Sequence, residues 1–255
     1  MEHYIVSRRG TREINEDCAK MIETSRGFCC ILADGLGGHD RGEVASRLVT
    51  ENSLKIYESE CSGSTVDLEG VLNRCFRESQ DELLSLQKKA GSEMKTTMVA
   101  LASAEGRLQW GHIGDSRLYY FNNGKLVLRT LDHSVPQMLV RTGEIKEKDI
   151  RGHEDRNQLL RVMGTRWDSS KYEIAKSVAQ SGSQAFLLCS DGFWEWIEEK
   201  QMVRALNRSN SPKEWLSIME AEILNRAQGK EMDNFSAIGV FPGGPVKKKR
   251  LFGFI

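Results

Sequence analysis

The sequence has few of the features that mark several functional classes. It has only 4 Pro among 255 residues and no low-complexity stretch. No apolar run approaches the ~20 residues that span a bilayer, and no secretory signal opens the chain, so we expect a cytoplasmic protein. The chain has 36 basic and 36 acidic side chains, so its net charge gives no reason to expect binding to nucleic acid.

The six cysteines lack the spacing of a zinc site or a disulfide framework. None forms a C-x-x-C pair, and Cys29 and Cys30 are adjacent within an apolar run. We therefore expect buried free thiols, as in proteins of a reducing compartment.

The composition is that of a folded globular protein, with 39% hydrophobic and 28% charged residues. We predict one domain over residues 1–243 and a flexible tail over 244–255. The tail carries four consecutive basic residues before an apolar end. These could bind an anionic membrane or a partner protein, although a frayed terminus is the simpler interpretation.

Apolar runs separated by turn signals predict antiparallel strands, with a hairpin at Asn123-Gly124. An apolar stripe at helical spacing predicts a helix over 68–86, and the capping box that starts at Ser211 predicts another. A third helix is expected to begin near Glu43. Residues 135–167 are charged and irregular. The predicted strands are 28–33, 97–102, 108–113, 118–121, 126–131, 186–189 and 237–241.

Acidic residues stand where several of these strands end or turn. Each one alone is typical of a turn. Together they would repel one another unless a cation lay among them, and oxygen ligands without His or Cys favour Mg²⁺ or Mn²⁺. No calcium loop, phosphate loop or serine elbow is present. The acidic motifs are Asn15-Glu16-Asp17, Asp34-Gly35, Gly114-Asp115, Ser190-Asp191-Gly192 and Asp233-Asn234.

With their neighbours, these motifs resemble the bacterial type of metal-dependent serine/threonine protein phosphatases, the PPM or PP2C-like family. They follow the family's order from about residue 9 to 241. The resemblance implies an α+β fold, a four-layer α-β-β-α sandwich of two antiparallel sheets flanked by helices. The further matching motifs include Arg12-Glu13-Ile14, Leu36-Gly37-Gly38-His39, Thr96-Thr97, Ser116-Arg117, Asp132-His133-Ser134, Gly143-Glu144-Ile145 and Arg156-Asn157.

The resemblance also implies roles for individual residues. Asp34 should bridge two Mn²⁺ or Mg²⁺ ions, with the Gly35 carbonyl on one of them, and Asp191 and Asp233 should complete one of the two sites. Glu16 and Asp17 should lie around the pair, and Asp115 with Asp191 matches a weaker third site. Arg12 matches the phosphate-binding arginine. Arg12, Asp34 and Asp191 are thus the implied catalytic residues.

The implied reaction is hydrolysis of phosphoserine and phosphothreonine by direct attack of a metal-activated water. Leu36 occupies a position where eukaryotic relatives have a His, so the general acid is left open, and a metal-bound water is one candidate. His39 is expected either to make a structural hydrogen bond or to support the site without touching the substrate. The segment 135–167 matches a flap near the active site. Its basic residues either contact a phosphopeptide or form a solvated face: Arg141, Lys146, Lys148 and Arg151.

Other functions are weighed beside this one. A catalytically silent adaptor that binds phosphoproteins is the main alternative, and the presence of every expected acidic residue counts against it. An active phosphatase in a sporulation- or stress-type partner switch is another. The expected partners are proteins phosphorylated on Ser or Thr by a partner kinase, and a monomer is expected because no oligomerisation signal is seen.

Overall fold

The computed structural model describes residues 1–36, 41–63, 65–168 and 171–244. His39 and the tail residues 245–255 therefore lie outside the described residues. Among the described helices, none combines the length and the apolar character that crossing a membrane requires.

The strands, in chain order, are β1 (Glu2–Arg8), β2 (Asp17–Thr24), β3 (Gly27–Asp34), β4 (Met98–Ala104), β5 (Arg107–Ile113), β6 (Arg117–Asn122), β7 (Lys125–Arg129), β8 (Glu173–Ile174), β9 (Val178–Ala179), β10 (Gln184–Cys189) and β11 (Phe235–Phe241). The helices are α1 (Gly42–Glu60), α2 (Leu68–Ala90), α3 (Val135–Thr142), α4 (Asp191–Trp194), α5 (Glu199–Arg208) and α6 (Pro212–Arg226), with a 3₁₀ helix over Glu147–Gly152.

Two antiparallel sheets form the centre of the fold. One has the strand order β1-β11-β10-β6-β7, and the other has the order β2-β3-β4-β5-β8, with β9 also paired to β5. Between the sheets lies an apolar layer that includes Phe28, Trp110 and Phe186. The alternation of side chains along each strand explains this layer, because every second residue faces the opposite sheet.

Helices cover both outer faces, so the predicted four-layer sandwich is confirmed. Helices α1 and α2 pack on the β2-β3-β4 side around a core that includes Tyr57 and Phe76. Helices α5 and α6 cover the other sheet around a core that includes Trp215. The amphipathic stripe of α2 is buried as predicted, since Val71, Leu72 and Phe76 are all within this packing.

Local signals in the sequence account for several element ends. Asn123 and Gly124 have φ values of 51° and 71°, which make the tight turn between β6 and β7. Ser211 caps α6 because its hydroxyl accepts a hydrogen bond from the Glu214 amide at 3.2 Å. All six cysteines are free thiols and five of them are buried, as expected.

Several elements differ from the sequence prediction. Residues 135–167 are not irregular throughout, because they contain α3 and the 3₁₀ helix. Ser134 caps α3 and Pro136 lies in its first turn, a start signal that the high charge of the segment had obscured. The prediction also lacks strands β2, β8 and β9 and helices α4 and α5, and it lacks strand β1. Strand β1 pairs with β11 along its whole length, from Glu2 opposite Phe241 to Arg8 opposite Phe235.

Candidate active site

The predicted carboxylates meet at one end of the sandwich. Asp17 begins β2 and Asp34 ends β3, and the register of these strands places the two residues directly opposite each other. Such a pair of like charges is unfavourable in a sheet unless another group compensates it. The pairing therefore indicates a site selected for something other than sheet stability.

The second sheet brings three more carboxylates to the same end. Asp115 lies in the turn before β6, Asp191 follows β10 as the first residue of α4, and Asp233 precedes β11. These three strands are neighbours in the sheet, so their ends share one edge. A cleft of about 670 Å³ opens there, and its lining includes Arg12, Glu16, Asp34, Gly35, Asp115, Asp191 and Asp233.

Two glycines allow the backbone segments of the cleft to approach closely. A Cβ on Gly35 would lie 2.4 Å from the carbonyl oxygen of Gly42, at the start of α1. A Cβ on Gly192 would lie 2.1 Å from the carbonyl oxygen of Asn234. Both contacts are too short for any side chain, so the glycines after Asp34 and Asp191 are required by the close packing of the backbone.

The cluster is electrostatically unfavourable when all its carboxylates are ionised. Burial and then the charge of Asp17 raise the pKa of Asp34 well above its usual value. Burial and then the charge of Asp191 raise the pKa of Asp115 in the same way. The pKa of Asp191 is raised by burial and by Asp233, and that of Glu16 by burial and by Glu43. Added positive charge would relieve all of these effects.

Asp17 shows the need for a cation most clearly. Its Oδ2 accepts a hydrogen bond from the Ser190 hydroxyl at 2.9 Å. Its Oδ1 is buried and has no hydrogen-bond partner among the described residues. Burial raises the pKa of Asp17 to about 7. A buried carboxylate oxygen without a partner, in a set of oxygen donors, fits a hard divalent cation.

Arg12 lies at the mouth of the cleft and is paired with Asp233. Its Nε and Nη2 donate to the two carboxylate oxygens of Asp233 at 3.0 and 2.8 Å. This hydrogen bonding and the charge of Asp233 raise the pKa of Arg12. The guanidinium keeps a planar fork next to the carboxylates, which is the geometry suited to two-point contact with a phosphate.

Asn234 holds the loop that carries Arg12 and Glu16. Its side-chain amide donates to the carbonyl oxygens of Arg9 and Ile14 at 2.8 and 2.9 Å, and its Oδ1 accepts the Glu16 amide at 2.7 Å. The sequence identified Asn234 only as the neighbour of Asp233. The sequence analysis did not predict that Asn234 positions this loop, because no local sequence pattern indicates such a role.

Some residues around the cleft were not predicted. Lys95 and Asn157 also line it, and they add a cation and an amide to its walls. Arg151, which the sequence offered as a substrate contact, instead donates to the carbonyl oxygens of Trp194 and Ile197 at 3.1 and 3.3 Å. It thus fastens the segment after α3 to the end of α4.

A second group of titratable residues is separate from the lining of the cleft. The rings of His112 and His133 stack at 4.7 Å, and His133 Nε2 lies 3.3 Å from Glu173. The Nδ1 of His133 accepts the Gly114 amide at 3.2 Å. Burial and His112 lower the pKa of His133 to about 4. Both nitrogens of His133 are therefore engaged within the protein.

The chain is similar to known proteins over most of its length. The model of the protein phosphatase 2C family matches residues 6–232. The serine/threonine phosphatase stp of Listeria monocytogenes is 32% identical over 208 residues, which cover 80% of this chain and 81% of that protein. PstP of Mycobacterium tuberculosis is 32% identical over 180 residues, which cover 69% of this chain and 33% of that protein.

Solved structures give the same result. Stp1 from Staphylococcus aureus has a TM-score of 0.82 at 26% identity and covers 94% of both chains. The catalytic domain of PstP in complex with 2 manganese ions has a TM-score of 0.76 at 26% identity and covers 93% of this chain and 96% of that one. The fold and the matches define a protein serine/threonine phosphatase. The chain belongs to the protein phosphatase 2C family.

Proposed function

We propose that this chain hydrolyses phosphoserine and phosphothreonine in phosphoproteins by direct attack of water, in a domain spanning residues 1–243. The observation that carries the proposal is the convergence of Asp17, Asp34, Asp115 and Asp191 on one site, with Asp17 Oδ1 lacking a partner among the described residues. The names of the relatives and the manganese ions of PstP support it.

The carboxylates are the proposed ligands of two Mn²⁺ or Mg²⁺ ions. Asp34, Asp191 and Asp233 would hold this pair together with the Gly35 carbonyl, and Glu16 and Asp17 would orient the surrounding water. Asp115 and Asp191 are the proposed ligands of a third, weaker ion. When bound, the ions supply the positive charge that acidifies a water molecule and neutralises the phosphoryl oxygens.

Arg12 is the proposed phosphate ligand. Its guanidinium lines the cleft together with Asp34 and Asp191, and its side chain is 61% exposed. A phosphate that enters the cleft can therefore meet the free donors of the guanidinium without any rearrangement of the core. Lys95 also lines the cleft and adds positive charge that favours a dianionic substrate.

The proposal is tested by hydrolysis of p-nitrophenyl phosphate and of a phosphothreonine peptide. We expect turnover with Mn²⁺ or Mg²⁺, none in excess EDTA, and a loss of at least ~100-fold in Asp34→Asn because a proposed ligand charge is removed. The matched control is Asp81→Asn, which changes an exposed carboxylate on α2. It should retain wild-type turnover.

The opposite result is equally informative. Folded wild-type protein that binds a phosphopeptide but turns over neither substrate with either ion would refute the hydrolase. It would support the silent adaptor instead.

A further inference from the structure

Trp194 connects two of the acidic segments of the cleft. It is the last residue of α4, the short helix that begins with Asp191, and only 1% of its surface is exposed. Its indole Nε1 donates to the carbonyl oxygen of Asp115 at 3.0 Å. One side chain thus ties the backbone of the Asp115 turn to the helix that carries Asp191.

The indole is held rigidly in this position. The guanidinium of Arg117 stacks over its ring, with Cζ 3.5 Å from the centroid. Arg117 is itself fixed because it donates to both carboxylate oxygens of Asp132, at 2.8 and 2.7 Å. The side chains of this pair are each 1% exposed. Because Arg117 begins β6 directly after the turn that contains Asp115, the hydrogen bond and the stacking fix that turn at two points.

The arrangement opposes a repulsion within the site. Asp115 is buried and Asp191 is half-buried, and the charge of Asp191 disfavours ionisation of Asp115. The pairing of β10 with β6 ends at Cys189 opposite Arg117, so beyond it the Trp194 hydrogen bond limits how far this repulsion can move the turn and the helix apart. The Trp194 hydrogen bond acts on the Asp115 main chain, so it sets the position of the carboxylate without neutralising it.

We propose that Trp194 is a positioning residue that holds Asp115 next to Asp191 so that both carboxylates can bind the same divalent cation. The inference rests on the proposed function in one respect, that Asp115 and Asp191 are cation ligands. It adds a residue that touches neither the cation nor the substrate, and it predicts which of the bound ions depends on that residue.

The experiment is a calorimetric titration of Mn²⁺ into the metal-free full-length chain and its variants. We expect Trp194→Phe to weaken the weakest Mn²⁺ site by ~10-fold or more, the range found when a hydrogen bond to a metal ligand is removed. The tighter sites should be unchanged. The Mn²⁺ concentration for half-maximal turnover of p-nitrophenyl phosphate should rise by a similar factor.

Trp215→Phe is the matched control. Trp215 is fully buried, and its Nε1 donates to the Met202 carbonyl at 3.1 Å. The variant therefore loses an indole and a buried hydrogen bond of the same kind, but in the core between the sheet and α6. It should bind Mn²⁺ as the wild type does. Equal weakening in both variants would show a general loss of packing and would overturn the inference.

Two further variants make the result specific. Asp115→Asn should lose the same Mn²⁺ site, and adding Trp194→Phe to it should cause no further loss. Benzothienylalanine at position 194 replaces the N–H by sulfur at nearly the same size. It should reproduce the Trp194→Phe effect, and it replaces that variant in the test if the phenylalanine does not fold.

The outcomes separate this inference from the proposed function. Wild-type Mn²⁺ binding by the folded Trp194 variants, with loss of a site in Asp115→Asn, would overturn the positioning role alone. Absence of any Mn²⁺ binding by the wild-type protein would overturn the proposed function, and the inference with it.

Discussion

Removing the charge of Asp17 should stabilise the metal-free protein while damaging its site. Burial places the pKa of Asp17 at about 7, compared with an ordinary value of 3.8. At about 1.4 kcal/mol per pH unit, ionising Asp17 in the folded state disfavours folding by about 4 kcal/mol. Asp17→Asn removes this penalty, so its free energy of unfolding in EDTA at pH 8 should exceed that of the wild type by up to about 4 kcal/mol.

The effect of Asp17 ionisation on the free energy of unfolding should depend on pH in a defined direction. Because the pKa is raised in the folded state, the penalty is absent below the unfolded value of 3.8, grows as the pH rises, and is complete above about 7. The advantage of Asp17→Asn should therefore shrink to about 2 kcal/mol at pH 5. Saturating Mn²⁺ should abolish it, because the cation binds the ionised wild-type site more tightly.

The assay is urea denaturation followed by tryptophan fluorescence, at pH 5 and pH 8, in EDTA and in Mn²⁺. Asp81→Asn again serves as the control and should follow the wild type under all four conditions. A variant Asp17→Asn that is no more stable than the wild type at pH 8 in EDTA would refute the reasoning. An equal gain at both pH values would also refute it, since the effect would then not arise from ionisation.

Three further predictions concern Arg12, Arg117 and Gly192. Arg12→Lys should raise KM for p-nitrophenyl phosphate ~10-fold because the planar guanidinium fork is lost. Its urea midpoint should not move, since the Arg12–Asp233 pair is exposed. An unchanged KM would show that Arg12 does not bind the phosphate. Arg117→Met removes both hydrogen bonds to the buried Asp132 and leaves only Arg129, 3.7 Å away, beside that carboxylate. Urea denaturation should therefore show a loss of ~3 kcal/mol, and a loss under ~1 kcal/mol would contradict the importance of the buried Arg117–Asp132 pair. Gly192→Ala should lower phosphatase activity at least ~10-fold and leave the circular dichroism spectrum unchanged, because the new Cβ would lie 2.1 Å from a backbone oxygen beside the cleft. Wild-type activity of this variant would show that the backbone there can shift without affecting the site.

The sequence was sufficient to identify the acidic residues of the cleft and most of the strands of the two sheets. Asp34 and Asp191 follow apolar strands and precede glycines, and these are local patterns. The hairpin at Asn123-Gly124 and the cap at Ser211 are local as well. Such features depend on a few neighbouring residues, so a reading of the chain segment by segment can find them.

The contributions of Trp194 and Asn234 are of another kind. The indole of Trp194 acts on Asp115, and the amide of Asn234 acts on Arg9, Ile14 and Glu16, all of them far away in the chain. Which backbone group each side chain meets depends on the strand order and register. Neither is visible in a single sequence, so these roles could be assigned only from the structure.

The strand order also has a consequence during synthesis. Strand β11 lies between β1 and β10, and Asp233 and Asn234 immediately precede it. A nascent chain that has not yet released β11 from the ribosome therefore lacks an inner strand of one sheet, one carboxylate of the cleft and the amide that holds the Arg12 loop. The ribosome-bound chain should be unable to remove phosphate from any protein, and activity should appear only once nearly the whole domain has emerged.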